Sequence, residues 1–250
     1  MNHLTASGSD VGSETNRLYF EDRTVHDWYR FVLSFPAHLV RDYLSRFCID
    51  STCRVLDPFC GTGTVLVECK KLGIPSEGIE TNPMAHFATQ VKTDWSLNPD
   101  RLIEHARQVA NHAEDLLRAD GIEDQAFFEG VQVNPPSLRT LSTEETELLL
   151  TNSISPLPLH KTLILLDCIK QSYQEHYSQH ELLALAKSVV YSSSNLRFGP
   201  EVGLGSIKQD APVISAWLSG IRAMAIDLSL MKKYVNTPAN VHLGVKYPVY

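Results

Sequence analysis

The sequence predicts an α/β protein built on a parallel sheet and interrupted by a long helical insertion, an expectation that rests on three observations. Two short strand candidates, the apolar run Cys53-Arg54-Val55-Leu56-Asp57-Pro58 and Glu77-Gly78-Ile79-Glu80, are each followed by a helical pattern, the alternation that joins parallel strands through crossover helices. From about Asn98 to Tyr234 the strong patterns are helical. After them, Ala239-Asn240-Val241-His242-Leu243 reads as a further strand.

Composition sets the outer bounds. The chain has 250 residues, with 22 Lys+Arg against 29 Asp+Glu and a formal charge of -7. That length suits one large domain or two small ones. The hydrophobic fraction of 43% and charged fraction of 20% argue against a disordered chain or a coiled coil. Apolar runs such as Leu163-Ile164-Leu165-Leu166 fall far short of a membrane span, and the opening ten residues lack the pattern of a secretory signal. A soluble, cytoplasmic protein with no membrane partner is expected. The acidic balance weighs against a stand-alone nucleic-acid binder, because phosphate contacts need clustered Lys and Arg. Five cysteines without a Cys-x-x-Cys pair read as free buried thiols. His176 and His180 stand four apart, but no third ligand sits at a recognisable spacing, so a solvated helix face is expected and no metal site.

In order along the chain, residues 1–24 are expected to form a mobile tail, polar and without periodicity over the first sixteen. The apolar positions Trp28, Phe31, Val32, Phe35, Leu39, Val40, Tyr43, Leu44 and Phe47 recur at helical spacing. They predict two helical pieces, the second beginning at Pro36 with Ser34 nearby as a cap. The first strand follows, then a turn at Cys60-Gly61-Thr62-Gly63, and an amphipathic helix from Thr64 to Leu72 stopped by Gly73. The second strand ends before Asn82-Pro83, and Met84 to Val91 resumes a helical pattern. Residues 25–96 thus form the first α/β part, and 97–235 the helical insertion. Its helices are expected at Arg101–Ala119, Ser142–Leu150, His160–Tyr177, Gln179–Tyr191 and Ile214–Tyr234, with loops at 133–137 and 192–200. Residues 236–250 hold the third strand and the C-terminus.

The most informative segment is Val55-Leu56-Asp57-Pro58-Phe59-Cys60-Gly61-Thr62-Gly63-Thr64. A strand delivers a carboxylate at its carboxyl end, and two glycines one residue apart let the backbone turn and approach a ligand closely. Glu80 ends the next strand about twenty residues on, where an acidic side chain can accept both ribose hydroxyl protons. This describes a nucleoside crevice. A dinucleotide fingerprint would need a glycine where Leu66 stands, and Asp57 would repel a neighbouring phosphate. S-adenosyl-L-methionine, with a sulfonium, an ammonium and no phosphate, fits better. The competing reading is a glycine turn in an unrelated α/β domain, with Asp57 capping the helix.

Asp57-Pro58-Phe59-Cys60-Gly61-Thr62-Gly63-Thr64 followed by Gly78-Ile79-Glu80-Thr81-Asn82-Pro83 resembles the cofactor motifs of amino-methylating DNA methyltransferases, of the adenine-N6 or cytosine-N4 type. Upstream, Ser34-Phe35-Pro36-Ala37-His38-Leu39-Val40 is similar to the family's Phe-Pro-x-x-Leu segment. The resemblance covers about residues 28 to 94. It implies a Rossmann-like class I methyltransferase fold, S-adenosyl-L-methionine as cofactor, duplex DNA with a flipped base as substrate, and a role in restriction-modification. By the same resemblance, Asp57 and the Gly61 and Gly63 backbone take the methionine end of the cofactor and Glu80 the ribose. Phe59, Asn82 and Pro83 would lie near it, with Phe35 and Pro36 along its flank. Some RNA methyltransferases share the Asp-Pro-Phe-x-Gly-x-Gly string, which keeps a tRNA substrate open.

The family's amine-holding loop is a polar residue, Pro-Pro and an aromatic residue. Here the sole Pro-Pro is Asn134-Pro135-Pro136-Ser137, where Ser137 replaces the aromatic ring. Asn134 is therefore a weak catalytic candidate, and a loop before a helix is the better expectation. The family's third strand is normally followed by an acid, but this chain has Val245 and then only Lys246 to Tyr250. The expectation is an incomplete sheet in the order 3-2-1 with strand one at its edge. Such a chain would be a truncated, split or domain-only methyltransferase, inactive unless a second chain supplies the remaining strands, or else a dead cofactor-binding or partner-binding module. Arg197 and its Ser/Asn-rich loop are candidate nucleic-acid contacts, with a helical cap over the cofactor as the alternative.

Overall fold

The structure, a computed structural model, describes residues 19–31, 34–125, 138–198 and 201–244. Its α/β part contains α1 (Ala37–Arg46), β1 (Val55–Asp57), α2 (Thr64–Lys71), β2 (Ser76–Glu80) and α3 (Pro83–Thr93). Next come α4 (Pro99–Ala119), α5 (Thr143–Glu147), α6 (Pro156–Gln171) and α7 (Glu175–Ser188). A hairpin of β3 (Leu196–Phe198) and β4 (Val202–Leu204), the long α8 (Ile214–Met231) and β5 (Ala239–Leu243) complete the described chain.

The main sheet is parallel in the order β1-β2-β5, so the third expected strand returns beside the second and β1 is an edge. The register sets Asp57 beside Gly78, Gly78 beside Val241, and Glu80 beside Leu243. Because side chains alternate along a strand, Asp57, Gly78 and Glu80 share one face, the one that meets α2 and α3. Gly78 is required there. A Cβ at that position would come within 2.9 Å of Cys60 Sγ and 3.0 Å of the Leu66 methyls. The opposite face carries Leu56, 61% exposed, beside a polar ladder. In it Glu77 accepts from Arg54 at 3.0 Å and from Asn240 at 3.1 Å, and pairs with His242 at 2.8 Å.

One core joins the α/β part to the helices. Val67, Ala88 and Trp95 pack in the same buried cluster as Leu102, Leu165, Leu183, Trp217 and Leu228. Helix α8 lies against α4 and α7. Together with the turn that follows it, Ile214–Tyr234, it is long and apolar enough by length and composition to cross a membrane, a signal the apolar-run reading missed. Its Trp217, Ile221, Met224 and Leu228 are buried in that core.

The segment before α1 departs most from the sequence reading. In place of a first helix it forms two single turns, Phe20–Asp22 and His26–Trp28, and α1 begins after Pro36 without a side-chain cap from Ser34. Polar anchors explain this. Val25 sits at φ 69°, a strained value for a β-branched residue. It is held there because Asp227 Oδ2 accepts from both Val25 N–H and Trp28 Nε1–H at 2.8 Å. Asp22, within the stretch expected as tail, is buried and bound to Arg41 at 2.7 Å. Arg41 also reaches buried Glu68 at 2.7 Å, and His26 Nε2 meets the other Glu68 oxygen at 2.8 Å. Burial alone would raise the Glu68 carboxyl, but His26, Lys71 and Arg41 outweigh it and hold it at about 2. Burial likewise drives the His26 imidazole down to about 3, against the pull of Glu68.

Three smaller expectations also change. His180 is buried, bonded to the Asp94 carbonyl at 3.2 Å and packed edge-on to Trp28, whereas His176 is exposed. Cys60, Cys69 and Cys168 are buried free thiols, but Cys48 is exposed. The 192–200 loop contributes β3. Its Asn195 is buried, with its amide donating to Asn152 O and Ser155 Oγ, and its oxygen accepting from Lys208 N–H. Among the members of that loop proposed for nucleic-acid contact, Arg197 is exposed. Asn134 to Ser137 and Val245 lie outside the described residues.

His26 sets an acid limit on stability. Its folded pKa lies below the unfolded value, so its contribution is complete above about pH 6.5 and is lost as pH falls toward about 3. Removing that titration in His26→Gln is expected to reduce the pH slope of the unfolding free energy by up to about 1.4 kcal/mol per pH unit within this window. Chemical denaturation across a pH series measures it, and an unchanged slope would refute the assignment.

Candidate functional site

The carboxyl ends of β1 and β2 present Asp57 and Glu80 on either side of the turn at Cys60 to Gly63. The turn begins where Cys60 N–H donates to Ile79 O at 3.1 Å, carrying the chain across the top of β2. Gly63 N–H then closes onto Cys60 O at 2.8 Å, and α2 starts at Thr64. Both glycines have positive φ, 53° at Gly61 and 81° at Gly63, which side-chain-bearing residues rarely adopt. They differ in surroundings. A Cβ on Gly61 would meet nothing within 4 Å, leaving that backbone open to a ligand, whereas one on Gly63 would lie 2.7 Å from Thr89 Cγ2. The second glycine is needed for packing on α3, whereas open space surrounds the first.

Glu80 organises the turn. Its Oε2 accepts from Gly61 N–H at 2.8 Å, and its Oε1 accepts from Thr81 and Asn82 N–H, each at 2.8 Å. A carboxylate has about four acceptor positions, so one remains for an incoming hydroxyl. Among the described residues, Asp57 Oδ1 accepts only from Phe59 N–H, at 3.1 Å. It does not cap α2, whose N-cap is Gly63, and this removes the capping alternative. Burial raises the Asp57 carboxyl above its ordinary value, the Phe59 N–H opposes that, and the charge on Glu80 adds to it. Between them Cys60 is pushed up to about 11 by burial and by both carboxylates, so it remains a thiol rather than a nucleophile.

The other expected site residues surround this pair unequally. Asn82 caps α3 by accepting from Met84 and Ala85 N–H at 2.9 and 3.1 Å, with Pro83 in the first turn. Both residues are exposed beside Glu80. Phe59 projects into solvent at 88% exposure. Phe35 lies on the far side of β1. There it lines an apolar groove of about 550 Å³ with Tyr43, Phe47, Leu56, Asp57 and Pro58, while Pro36 beside it is buried. The groove runs along the outer edge of β1, which pairs with no further strand among the described residues, a feature that sequence periodicity on α1 could not distinguish from core.

Sequence reasoning missed Lys92 and Thr89, which hold the turn from below. Thr89 Oγ1 donates to Gly61 O at 2.8 Å, and Lys92 Nζ donates to Thr62 O at 2.7 Å. No motif marks them; their polar type on the buried face of α3 was the only available signal. Among the described residues there is no group of three or more His, Cys, Asp or Glu side chains able to hold a metal ion.

No family model and no solved structure matches the chain. Among curated proteins, 73 residues are 34% identical to the type II methyltransferase M.BsoBI of Geobacillus stearothermophilus, covering 29% of this chain and 14% of that protein. Over 90 residues the chain is 34% identical to M.AvaI of Nostoc sp., covering 36% of this chain and 18% of the relative. Over 84 residues it is 34% identical to M.MjaII of Methanocaldococcus jannaschii, covering 33% and 15%. The matched stretch thus spans less than a fifth of each relative's length.

Gly63→Ala is expected to destabilise the chain by about 1–2 kcal/mol or more, from the left-handed φ together with the collision with Thr89. Adding Thr89→Ala should recover part of the loss. Thermal unfolding of the single and double variants decides this, and a single variant as stable as the parent would contradict the packing described.

Proposed function

From its kinship with type II DNA methyltransferases, we propose that this chain is the S-adenosyl-L-methionine-binding portion of a DNA methyltransferase acting on an exocyclic amino group of adenine or cytosine. The observation that carries this reading is the pair of carboxylates, Asp57 and Glu80, flanking a glycine turn whose Gly61 backbone is open. Two acids sharing a crevice repel one another, and the charge on Glu80 adds to the rise that burial imposes on the Asp57 carboxyl. A cationic ligand relieves that repulsion, and a phosphate would deepen it. The site therefore fits the methionine end of S-adenosyl-L-methionine, which supplies an electrophilic methyl group on a sulfonium.

In this proposal Asp57 holds the ammonium and the Gly61 backbone lies along the methionine chain. Glu80 accepts from a ribose hydroxyl with the one acceptor position that its three N–H partners leave free. Phe59, Asn82 and Pro83 border the cofactor, and Phe35 and Pro36 flank it. The parallel sheet with crossover helices is compatible with a Rossmann-like class I fold in the order 3-2-1. A partner strand fits beside β1. Its outer edge has no neighbour among the described residues, parallel strands are ordinarily covered, and the groove next to it is apolar. We therefore infer that methyl transfer requires strands from a second chain or segment, and that DNA with its target base turned out is the substrate of the assembled enzyme. A cytoplasmic role in restriction-modification goes with this reading.

Calorimetric titration with S-adenosyl-L-methionine tests the cofactor, with weak binding by the chain alone expected. Glu80→Ala and Asp57→Ala should each lower affinity at least about tenfold, as loss of a charged partner does. Unchanged affinity in both would sink the proposal. Affinity should also fall on acidification earlier than an unshifted aspartate would give, because protonation discharges Asp57. Labelled-methyl transfer, measured with duplex DNA and tRNA side by side, decides the substrate. Transfer to tRNA alone would replace the DNA reading, and transfer by the isolated chain that Asn134→Ala abolishes would restore Asn134 as catalytic.

A further inference from the structure

Helix α3 does more than cross over from β2 to the rest of the fold. Thr89 and Lys92 stand three residues apart and so share one face of the helix. They take the carbonyls of two consecutive residues of the glycine turn, Gly61 O at 2.8 Å and Thr62 O at 2.7 Å. Lys92 makes a second bond, to Tyr29 O at 3.3 Å, on the segment that leads into Phe35 and Pro36. Its side chain is completely buried. A single ammonium group therefore joins two stretches of chain that are more than thirty residues apart in sequence.

We propose that Thr89 and Lys92 are the positioning residues of the cofactor crevice, clamping the glycine turn from below and tying it to the segment at Tyr29. This rests on the cofactor reading above and extends it to residues that touch no ligand. Fixing two successive carbonyls sets the peptide planes between them and leaves the opposite side of the turn, at Gly61, facing the crevice. Burying lysine is costly, and two backbone carbonyls offset that cost without introducing a counter-charge.

Charge around Lys92 comes from two elements. Arg30 and Asp27 face it from the N-terminal segment, and Lys71 and Glu68 from α2. Burial, helped by Arg30 and Lys71 and opposed by Asp27 and Glu68, lowers the Lys92 ammonium to about 7. An ammonium has three N–H donors and an amine two, so both carbonyls remain served on either side of that titration.

Hydrogen exchange on the unliganded full chain tests the clamp. In Lys92→Met, peptides covering Gly61 to Thr64 and Tyr29 to Phe31 should exchange at least about tenfold faster while α4 and α8 are unaffected. Thr89→Val should loosen the Gly61 side alone. A uniform rise in exchange across the chain, or none at the turn, would overturn the clamp. Should Lys92→Met fail to fold, the Thr89→Val result decides by the same criterion. In the parent chain, protection of the turn, corrected for intrinsic exchange, should persist from about pH 6 to about pH 8.5. Its collapse as the amine forms would overturn the two-carbonyl arrangement. Calorimetry with S-adenosyl-L-methionine separates the clamp from the cofactor reading. If the parent binds and Lys92→Met binds equally well, the positioning role is wrong. If the parent does not bind, the cofactor reading falls, and the exchange data still decide the clamp.

Discussion

Two carboxylates delivered by adjacent parallel strands must be held within one crevice, and the local structure is arranged to permit it. Glu80 is satisfied by three backbone N–H groups, from Gly61, Thr81 and Asn82, rather than by a counter-charge. Its charge thus remains uncompensated toward the crevice and acts on Asp57 and Cys60. The same three bonds fix where the glycine turn crosses β2 and where α3 begins. Positive φ at Gly61 and Gly63, close contact of Gly63 with Thr89, and absence of a side chain at Gly78 all follow from packing a tight turn onto two strands and a helix.

A second polar system sits on the other side of α2. Glu68 gathers His26, Arg41 and Lys71, and Arg41 carries the connection on to Asp22. Buried charges are costly unless paired and hydrogen-bonded, and here every Glu68 oxygen is engaged. The network, with Asp227, pulls the N-terminal segment into contact with α2 and α8 and tolerates strain at Val25. The Lys92 bond to Tyr29 then transmits that placement to the glycine turn. Crevice turn and N-terminal segment thus share one buried ammonium group, although no apolar periodicity joins them.

The sheet is asymmetric in what it leaves open. Its inner face is filled by Cys60 and Leu66 against Gly78, whereas its outer face bears Leu56 and a polar ladder, and the edge of β1 adjoins an apolar groove. A three-stranded parallel sheet buries too little by itself to account for the fold, and the buried cluster shared with α4, α6, α7 and α8 provides the larger core.

The sequence by itself determined the local elements: β1, β2 and β5, the helices that follow the Gly61–Gly63 turn and Asn82-Pro83, and the carboxylate pair around the turn. These are written in nearest-neighbour terms, through apolar runs, stop glycines and the Asn82 cap, so they can be read one segment at a time. Tertiary structure alone decided how the pieces meet. Asp227 lies about two hundred residues from Val25, and only folding brings its carboxylate to the N–H groups that turn an expected helix into two short turns. His180 changed from a solvated position to a buried one because α7 packs on Trp28 and Asp94. Lys92 looked like one more polar residue on a helix, until its carbonyl partners from two distant loops made burial of an ammonium group tolerable. Periodicity reports which side chains avoid water; it cannot report which distant polar group will satisfy them.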